Sequence, residues 1–166
     1  MDSTPVASLV DTSSPVVSVQ PMHDYQNYYS DYTAIVPVVI GGLPIASYTA
    51  KNKRLTSILR VSNFTAKDAT NGDEKTVAES RRSRGLANSI SYSVKLATIR
   101  DANGDLFKPN SYVYLEAPTA MVYTNTKFFI RTVSISFTGD EKSCILELVL
   151  PEAYNGNDVE VFPWDE

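Results

Sequence analysis

The stretch "ISYSVKLATIRDANGDLFKPNSYVYLEAP", residues 90–118, decides the fold. Its first part alternates polar or small residues with four apolar ones, which are Ile90, Tyr92, Val94 and Leu96. Because successive side chains of a strand point to opposite faces, this period of two predicts a half-buried β-strand over residues 90–100. A second strand, residues 111–118, ends at Pro118. The Asn-Gly and Gly-Asp pairs between the strands are typical of turns, so the stretch predicts a β-hairpin connection.

The same turn begins like a calcium-binding loop, with oxygen-bearing side chains at Asp101, Asn103 and Asp105. A calcium loop of this type also needs Gly at its sixth position and a bidentate Glu at its twelfth. Counted from Asp101, those positions hold Leu106 and Tyr112. The loop therefore has too few carboxylates for calcium, and the sequence predicts a turn with no metal.

Two further strands are predicted toward the C-terminus. Residues 127–137 carry their apolar side chains on one face, namely Phe129, Val133, Ile135 and Phe137. Residues 144–151 are an apolar run ended by Pro151, and the polar, Gly-containing residues 138–143 lie between the two strands. This pattern predicts a second hairpin.

Residues 69–91 are the only good helix candidate in the sequence. Asp73 is suited to the N-cap, and Glu74 to the first turn, where a negative charge faces the positive end of the helix dipole. Gly85 weakens the interior of the helix. We therefore expect the helix to bend there or to end near Asn88.

Before the helix, the chain predicts short strands and loops. Residues 14–20 are suited to a short strand, and a Tyr-rich loop leads into an apolar strand over residues 33–40. Residues 52–64 are a short apolar run that fits a strand or a short helix. Residues 1–13 are small and polar, which is typical of a mobile arm.

The sequence thus predicts a mainly β protein of the β-rich α+β class. We expect a small antiparallel β-barrel or sandwich domain with one attached helix and an extended N-terminal arm. The expected segments are a flexible N-terminal arm (1–13), an N-terminal β segment (14–70), a helix plus antiparallel β-barrel domain (71–155) and an acidic tail (156–166).

The composition narrows the classes of function. The 166 residues have a formal net charge of -4, which argues against nucleic acid as the main partner. The N-terminus lacks the pattern of a signal peptide, and no run approaches the ~20 apolar residues that span a membrane, so no membrane partner is expected. The single cysteine, Cys144, excludes internal disulfides and cysteine-based zinc sites. Phosphate-binding and dinucleotide-binding glycine patterns are absent too, so we expect no cofactor.

Catalytic groups are sparse. The one histidine, His23, could pair with Ser30 and with Asp24 or Asp31, but this segment has no nucleophile elbow and no oxyanion-type glycine loop. Glycoside hydrolysis would need a carboxylate pair, and the candidates are Glu116, Asp140, Glu141, Glu147 and Glu152. Solvation on polar strand faces and in loops explains these acids, so we expect no catalytic site.

Two further motifs have a functional and a structural interpretation. The cluster of Arg81, Arg82 and Arg84 could bind phosphate, but it lacks interleaved aromatic residues. We interpret it as a solvated helix face or an inter-subunit ion-pair stripe. Residues 63–65 fit the N-glycosylation sequence, which matters only in a secreted protein.

Three parts of the chain resemble a known family. The strand-turn-strand stretch contains, in order, Arg100, Asp101, Gly104, Leu106, Asn110 and Val113. The ending of the last strand supplies Leu146, Leu148, Pro151, Glu152, Ala153 and Tyr154, and the upstream loop supplies Tyr29, Ser30 and Tyr32. With the Arg- and Ala-rich helix between them, these motifs resemble the C-terminal part of the baseplate hub proteins of Mu-like contractile-tailed bacteriophages.

The resemblance implies a non-enzymatic structural subunit of a phage tail baseplate. It implies a homotrimeric ring that joins the tail tube protein to the central spike protein and contacts other baseplate proteins. The place implied is the virion, with the host cytoplasm during assembly. Hub proteins of this family are longer, so we expect that a separate chain supplies the missing N-terminal hub half or that this chain is a fragment. The rival hypotheses are a tail-associated cell-wall or polysaccharide hydrolase and an unrelated ligand-binding β-barrel.

Overall fold

The computed structural model describes residues 4–36, 46–55, 57–66, 72–139, 141–159 and 161–165. The chain forms two compact units. The sheet unit comprises Met1–Asp24, Ile90–Pro151 and Val159–Glu166, and the helix unit comprises Tyr25–Ser89 and Glu152–Asp158. Each unit is built from separate pieces of sequence, which differs from the linear division into four segments expected above.

Nine strands and two α-helices occur in the described ranges. In chain order they are β1 (Pro5–Val10), β2 (Val16–His23), β3 (Asp31–Val36), β4 (Ala46–Lys51), β5 (Val61–Thr65), α1 (Glu74–Ser89), β6 (Ile90–Leu96), β7 (Tyr112–Ala117), β8 (Val122–Thr138), β9 (Glu141–Val149) and α2 (Glu152–Asn155). This content confirms the β-rich α+β class, although it includes a short second helix.

The sheet unit is one six-stranded sheet in the order β1-β7-β8-β9-β6-β2. All neighbours are antiparallel except β1 and β7. One face of the sheet holds the core, whose largest members include Leu9, Ile90, Tyr92, Leu96, Leu115, Phe128, Ile130, Leu146 and Leu148. The predicted alternation of Ile90, Tyr92, Val94 and Leu96 is confirmed, since all four side chains are fully buried.

The sheet is not a closed barrel. Its edge strands β1 and β2 are consecutive in the chain, yet no ladder of hydrogen bonds joins them in the described residues. The barrel form of the prediction is therefore corrected to an open, mixed sheet. A barrel needs every strand edge paired, and here two edges stay open.

The strands β6 and β7 are not hairpin partners, which corrects the prediction made from the opening stretch. β8 and β9 lie between them in the sheet. The turn chemistry was interpreted correctly, since Arg100 and Leu106 form an isolated antiparallel bridge around it. The turn reverses the chain locally, but the strands on either side continue to different neighbours.

Part of the expected N-terminal arm is a strand. Pro5–Val10 forms β1, which pairs in parallel with β7. Leu9 is buried, and its backbone lies opposite Leu115. Hydrogen bonding to β7 and burial of the Leu9 side chain hold this short segment in the sheet. A mobile arm is thus not what these residues form.

The predicted hairpin of β8 and β9 is present and is longer than expected. Its strands remain paired as far as Thr138 and Glu141. β7 pairs with β8 only over residues 122–129, so the far half of β8 extends beyond it. Consequently Ile135 and Phe137, expected on a buried face, are exposed by 38% and 63%.

The helix unit packs α1 and α2 with a three-stranded sheet in the order β4-β3-β5. The Val77 N–H donates to the Asp73 carbonyl, which places Asp73 at the predicted N-cap position, and the helix ends at Ser89, one residue past the predicted end. Gly85 is needed where it stands, because a Cβ there would collide with the Tyr32 hydroxyl. The ambiguous run 52–64 contains β5 except for its last residue, Thr65, and the predicted strand 33–40 is β3 as far as Val36. Residues 37–40 and 69–71 of the predicted elements lie outside the described residues.

Candidate functional site

In the turn at residues 101–105, a carboxylate oxygen accepts hydrogen bonds from the backbone of the turn itself. The Asp101 Oδ1 atom accepts hydrogen bonds from the backbone N–H groups of Asn103 and Asp105, both at 2.9 Å. The Arg100 guanidinium donates to the Gly104 carbonyl at 2.5 Å, and Gly104 has a positive φ of 86°. This carboxylate caps a turn, as predicted from the dipeptides. No cluster of three or more His, Cys, Asp or Glu side chains occurs in the described ranges.

The histidine and serine candidates for catalysis serve other contacts. His23 lies at the end of β2, where its ring is edge-on to Tyr92 and Trp164, with centroids 6.4 Å and 6.1 Å away. The Ser30 hydroxyl lies 2.6 Å from Asp31 Oδ2 and accepts from the Arg60 N–H at 2.8 Å. His23 and Asp24 belong to the sheet unit, whereas Ser30 and Asp31 belong to the helix unit. Ser30 anchors the loop before β5 to the start of β3.

The carboxylate candidates are dispersed among different elements. Glu147 on β9 forms an ion pair with Arg131 at 3.2 Å. Glu116 lies on β7 beyond Leu115, which is opposite Thr126, while Glu147 is opposite Thr132. Six residues of β8 separate those positions, which is roughly 20 Å along a strand. Glycosidase carboxyl groups lie roughly 5–10 Å apart, so these two do not form such a pair.

The remaining acids add no pair in the described residues. Glu152 begins α2 in the helix unit. Asp140 and the Glu141 side chain lie outside the described part of the chain. Asn63, of the glycosylation-like sequence, lies exposed on β5.

The three arginines of α1 bind groups of the helix unit. Arg81 stacks on the Phe64 ring of β5, with its guanidinium carbon 4.1 Å from the ring centroid. Arg84 donates to the Tyr154 carbonyl of α2 at 3.3 Å. Arg82 pairs with Asp158. The structural interpretation therefore has support, but the partners are intramolecular rather than solvent or another subunit.

Asp158 is held by two side chains of α1. Its Oδ1 atom accepts hydrogen bonds from the Ser83 hydroxyl and from Arg82, both at 2.5 Å. The Ser83 hydroxyl, followed by Arg82, holds the pKa of this carboxyl below its ordinary value, against an opposing effect of burial. This contact joins the segment after α2 to the middle of α1.

Cys144 lies fully buried on β9 in the sheet unit. Burial raises the pKa of its thiol. A thiol held in its neutral form is a poor nucleophile and a poor metal ligand. The burial of Cys144 therefore makes its thiol inert in the folded sheet unit.

The residues that carry the family resemblance have architectural roles. Asn110 adopts a positive φ of 65°, which Asn tolerates better than most residues, and its N–H donates to the Ile130 carbonyl at 3.0 Å. Val113 and Ala153 are buried. The Tyr32 hydroxyl accepts from the Tyr29 N–H at 3.0 Å. These motif residues fix corners and core contacts, and none of them forms a reactive group.

Two exposed apolar surfaces are the features that sequence reasoning missed. One is on the far half of the β8–β9 hairpin, where Ile135 and Phe137 lie on the same face and are exposed by 38% and 63%. The other is a loop of the helix unit in which Ile58 and Leu59 are exposed by 57% and 81%. The alternation in β8 was interpreted as a core face. A strand face that meets a partner shows the same apolar alternation, so the sequence does not distinguish the two. The density of cations beside Ile58 and Leu59 was the available signal for the second surface.

None of the helices in the described ranges is long and apolar enough to cross a membrane.

Solved structures show what the fold is similar to. The crystal structure of the tail protein from Neisseria meningitidis MC58 superposes with a TM-score of 0.76 at 15% identity, over 93% of this chain and 47% of that chain. The 43 kDa tail protein of prophage MuSo2 from Shewanella oneidensis gives 0.69 at 14% identity, over 91% of this chain and 46% of that one.

A chain of the virion of the native gene transfer agent particle has the same fold, with a TM-score of 0.62 at 11% identity. That match covers 98% of this chain and 35% of the other. No family model and no curated protein matches the sequence. This chain thus has the fold of phage tail proteins, and it spans about half the length of the two tail proteins.

Proposed function

We propose that this chain is a structural component of a contractile phage tail baseplate. In this proposal it is a hub subunit that joins the tail tube to the central spike through a trimeric ring. It acts in the virion and passes through the host cytoplasm during assembly. Its role requires symmetric association with copies of itself and with tube, spike and other baseplate proteins, without contact to nucleic acid or membrane.

The observation that carries the proposal is the fold, which is shared over 91–98% of the chain with two tail proteins and a virion component. The motifs of residues 100–113 and 146–154 support the narrower assignment to a hub protein, because they resemble that family in the same order. The exposed apolar surfaces on both units add support, since such surfaces mark sites of protein association.

This chain matches only part of each known tail protein, and this bears on the partners that it needs. This chain corresponds to 47% and 46% of the two tail proteins. A complete hub would then need the rest of the architecture from a separate chain or from further residues of a longer polypeptide. We expect such a chain to bind tightly to this one.

No carboxylate pair among the residues that the structure describes supports the hydrolase alternative. Glu116 and Glu147 are roughly 20 Å apart along the sheet, and Glu147 is paired with Arg131. The proposal therefore assigns no enzymatic role to the chain.

Gene disruption in the parent phage or prophage tests the proposal. Without this chain, electron micrographs are expected to show heads without assembled tails, and the wild-type gene supplied in trans restores complete particles. Chains with Glu116→Gln, Glu147→Gln or Glu152→Gln are expected to restore tails as well as the wild type, because no carboxylate is needed for chemistry. Complete tails in the absence of the chain would overturn the structural role. Normal tails with loss of wall degradation in any Gln variant would favour the hydrolase.

A further inference from the structure

The loop of residues 51–61, here called the basic loop, combines charge and exposed apolar area. It carries four of the chain's 15 cationic residues and none of its 19 acidic residues. Its cations are Lys51, Lys53, Arg54 and Arg60. Between them, Ile58 and Leu59 expose 57% and 81% of their surface. Large apolar side chains held in water beside a cluster of like charges are typical of a surface that meets a partner.

The base of the basic loop is held in place by hydrogen bonds. The Asn52 N–H donates to the Ser30 carbonyl at 2.7 Å, and the Asn52 side-chain amide donates to the Tyr29 carbonyl at 3.2 Å. At the other end, the Arg60 guanidinium donates to the carbonyls of Tyr25 and Gln26 at 3.0 Å and 2.8 Å. The loop therefore presents its apolar side chains from fixed ends, which lowers the cost of ordering when a partner binds.

A groove runs along the loop within the helix unit. It has a volume of about 540 Å³ and is lined by apolar Leu55, Ile58 and Leu59 together with Lys51 and Lys53. Asp31 also lines it, with its carboxylate oxygen 2.6 Å from the Ser30 hydroxyl. The groove thus offers apolar contact with a cationic rim. It is suited to an acidic protein surface with an apolar centre.

The chain itself supplies such a partner. The sheet unit holds 12 acidic and 6 basic residues, a net charge of -6, whereas the helix unit holds 7 acidic and 9 basic residues, a net charge of +2. The sheet unit also exposes apolar side chains, among them Phe137 at 63% and Val161 at 65%. The two units are therefore opposite in net charge, and each exposes apolar side chains.

From this complementarity we infer that the basic loop docks onto the acidic sheet unit of a second copy of the chain. The contact is head-to-tail, with different surfaces on the two partners, and such a contact closes into a ring when the rotation between copies allows it. The inference deepens the proposed function by naming the surface that joins the subunits of the ring. The ring itself rests on the proposed function, whereas the contact between two copies does not.

Analytical ultracentrifugation of the full chain tests the contact. The wild type is expected to associate in the micromolar range and to dissociate as salt is added, because screening weakens opposite charges. Ile58→Asp is expected to weaken association by roughly tenfold or more, as for a truncated interface anchor. Tyr154→Asp is the matched control, since Tyr154 on α2 of the helix unit is exposed by 47% and lies outside the basic loop, and its association is expected to equal that of the wild type. Thermal melts confirm that both variants remain folded.

The head-to-tail geometry has its own signature. An Ile58→Asp chain keeps an intact sheet unit, so it is expected to bind immobilised wild-type chain at one site while failing to bind a second Ile58→Asp chain. Failure to bind the wild type as well would indicate a loop-to-loop contact and overturn the inference.

Four other results would also overturn it. They are a wild type that stays monomeric, an Ile58→Asp variant that associates normally, equal weakening by Tyr154→Asp, and loop-dependent binding to anionic lipid vesicles or to DNA without self-association. The proposed function needs copies of the chain to associate in the tail, so it is tested separately by the presence and copy number of the chain in particles. A monomeric wild type found in tails would overturn the loop contact alone.

Discussion

The hydroxyl of Tyr32 on β3 occupies the space that a side chain at Gly85 of α1 would need. That hydroxyl accepts from the Tyr29 N–H at 3.0 Å and donates to the Asn27 carbonyl at 3.2 Å. Gly85 therefore lets the helix approach a buried tyrosine whose hydroxyl is already committed to two backbone groups. The glycine that seemed to weaken the helix in the sequence is a packing requirement.

Replacing Gly85 by alanine is expected to destabilise the helix unit. Alanine favours an exposed helix by about 1 kcal/mol over glycine, but overpacking against Tyr32 costs about 1–3 kcal/mol. We expect a net loss of about 1 kcal/mol in the free energy of unfolding, measured by urea denaturation. Adding Tyr32→Phe to Gly85→Ala removes the colliding oxygen, so the double variant is expected to lose less than the sum of the two single changes. A Gly85→Ala chain as stable as the wild type would contradict this account.

Asp158 gives the helix unit a dependence on pH. Because the Ser83 hydroxyl and Arg82 lower the pKa of this carboxyl in the folded chain, its stabilising effect is complete above the ordinary value of 3.8. The effect is lost as the pH falls through the lower, folded value. Asp158→Asn is therefore expected to lower the unfolding midpoint at neutral pH, with a difference from the wild type that shrinks in acid.

The control for this prediction is Ser83→Ala, which keeps the carboxylate but removes its main hydrogen-bond donor. The pKa of Asp158, measured by NMR titration, is expected to rise toward its ordinary value in this variant. An unchanged pKa would show that Ser83 is not the cause.

The turn at residue 101 is expected to need its carboxylate and no metal. Asp101→Ala leaves the backbone N–H groups of Asn103 and Asp105 to solvent and is expected to cost about 1 kcal/mol. Asp101→Asn keeps an acceptor oxygen and is expected to cost less. Calcium and a chelator are both expected to leave the melting temperature of the wild type unchanged. A rise in melting temperature with calcium would show that the turn is a metal site.

Cys144 is expected to react slowly with thiol reagents in the folded chain. Its side chain is fully buried and burial raises its pKa, so the reactive thiolate forms only when the sheet opens. The reaction rate with a chromogenic disulfide reagent is expected to follow unfolding as denaturant is increased. Rapid reaction in native buffer would mean that the strand β9 opens locally.

The sequence predicted the local features that depend on neighbouring residues. The alternation over Ile90–Leu96, the N-cap at Asp73 and the capped turn after Arg100 were all interpreted correctly, because each follows from residues within a few positions. The neighbours of β6 were not predictable in this way. Turn chemistry shows where the chain reverses, but the partner of a strand is set by distant segments.

The contacts of the arginine cluster were unpredictable for the same reason. Phe64, Tyr154 and Asp158 lie 17 to 76 residues away from the arginines that they meet. The exposure of Ile135 and Phe137 depends on where β7 stops pairing with β8. The periodicity of the sequence does not show that position. The candidate surfaces for assembly thus required the structure.

The most direct test of the hub role is the number of copies of this chain in purified particles. Quantitative mass spectrometry with labelled peptides gives this number relative to a tail tube protein. The account predicts three copies per particle, recovered with the tail fraction after the heads are removed. Absence from the particle, or a copy number that grows with tail length as expected for a tube protein, would contradict the assignment to the hub.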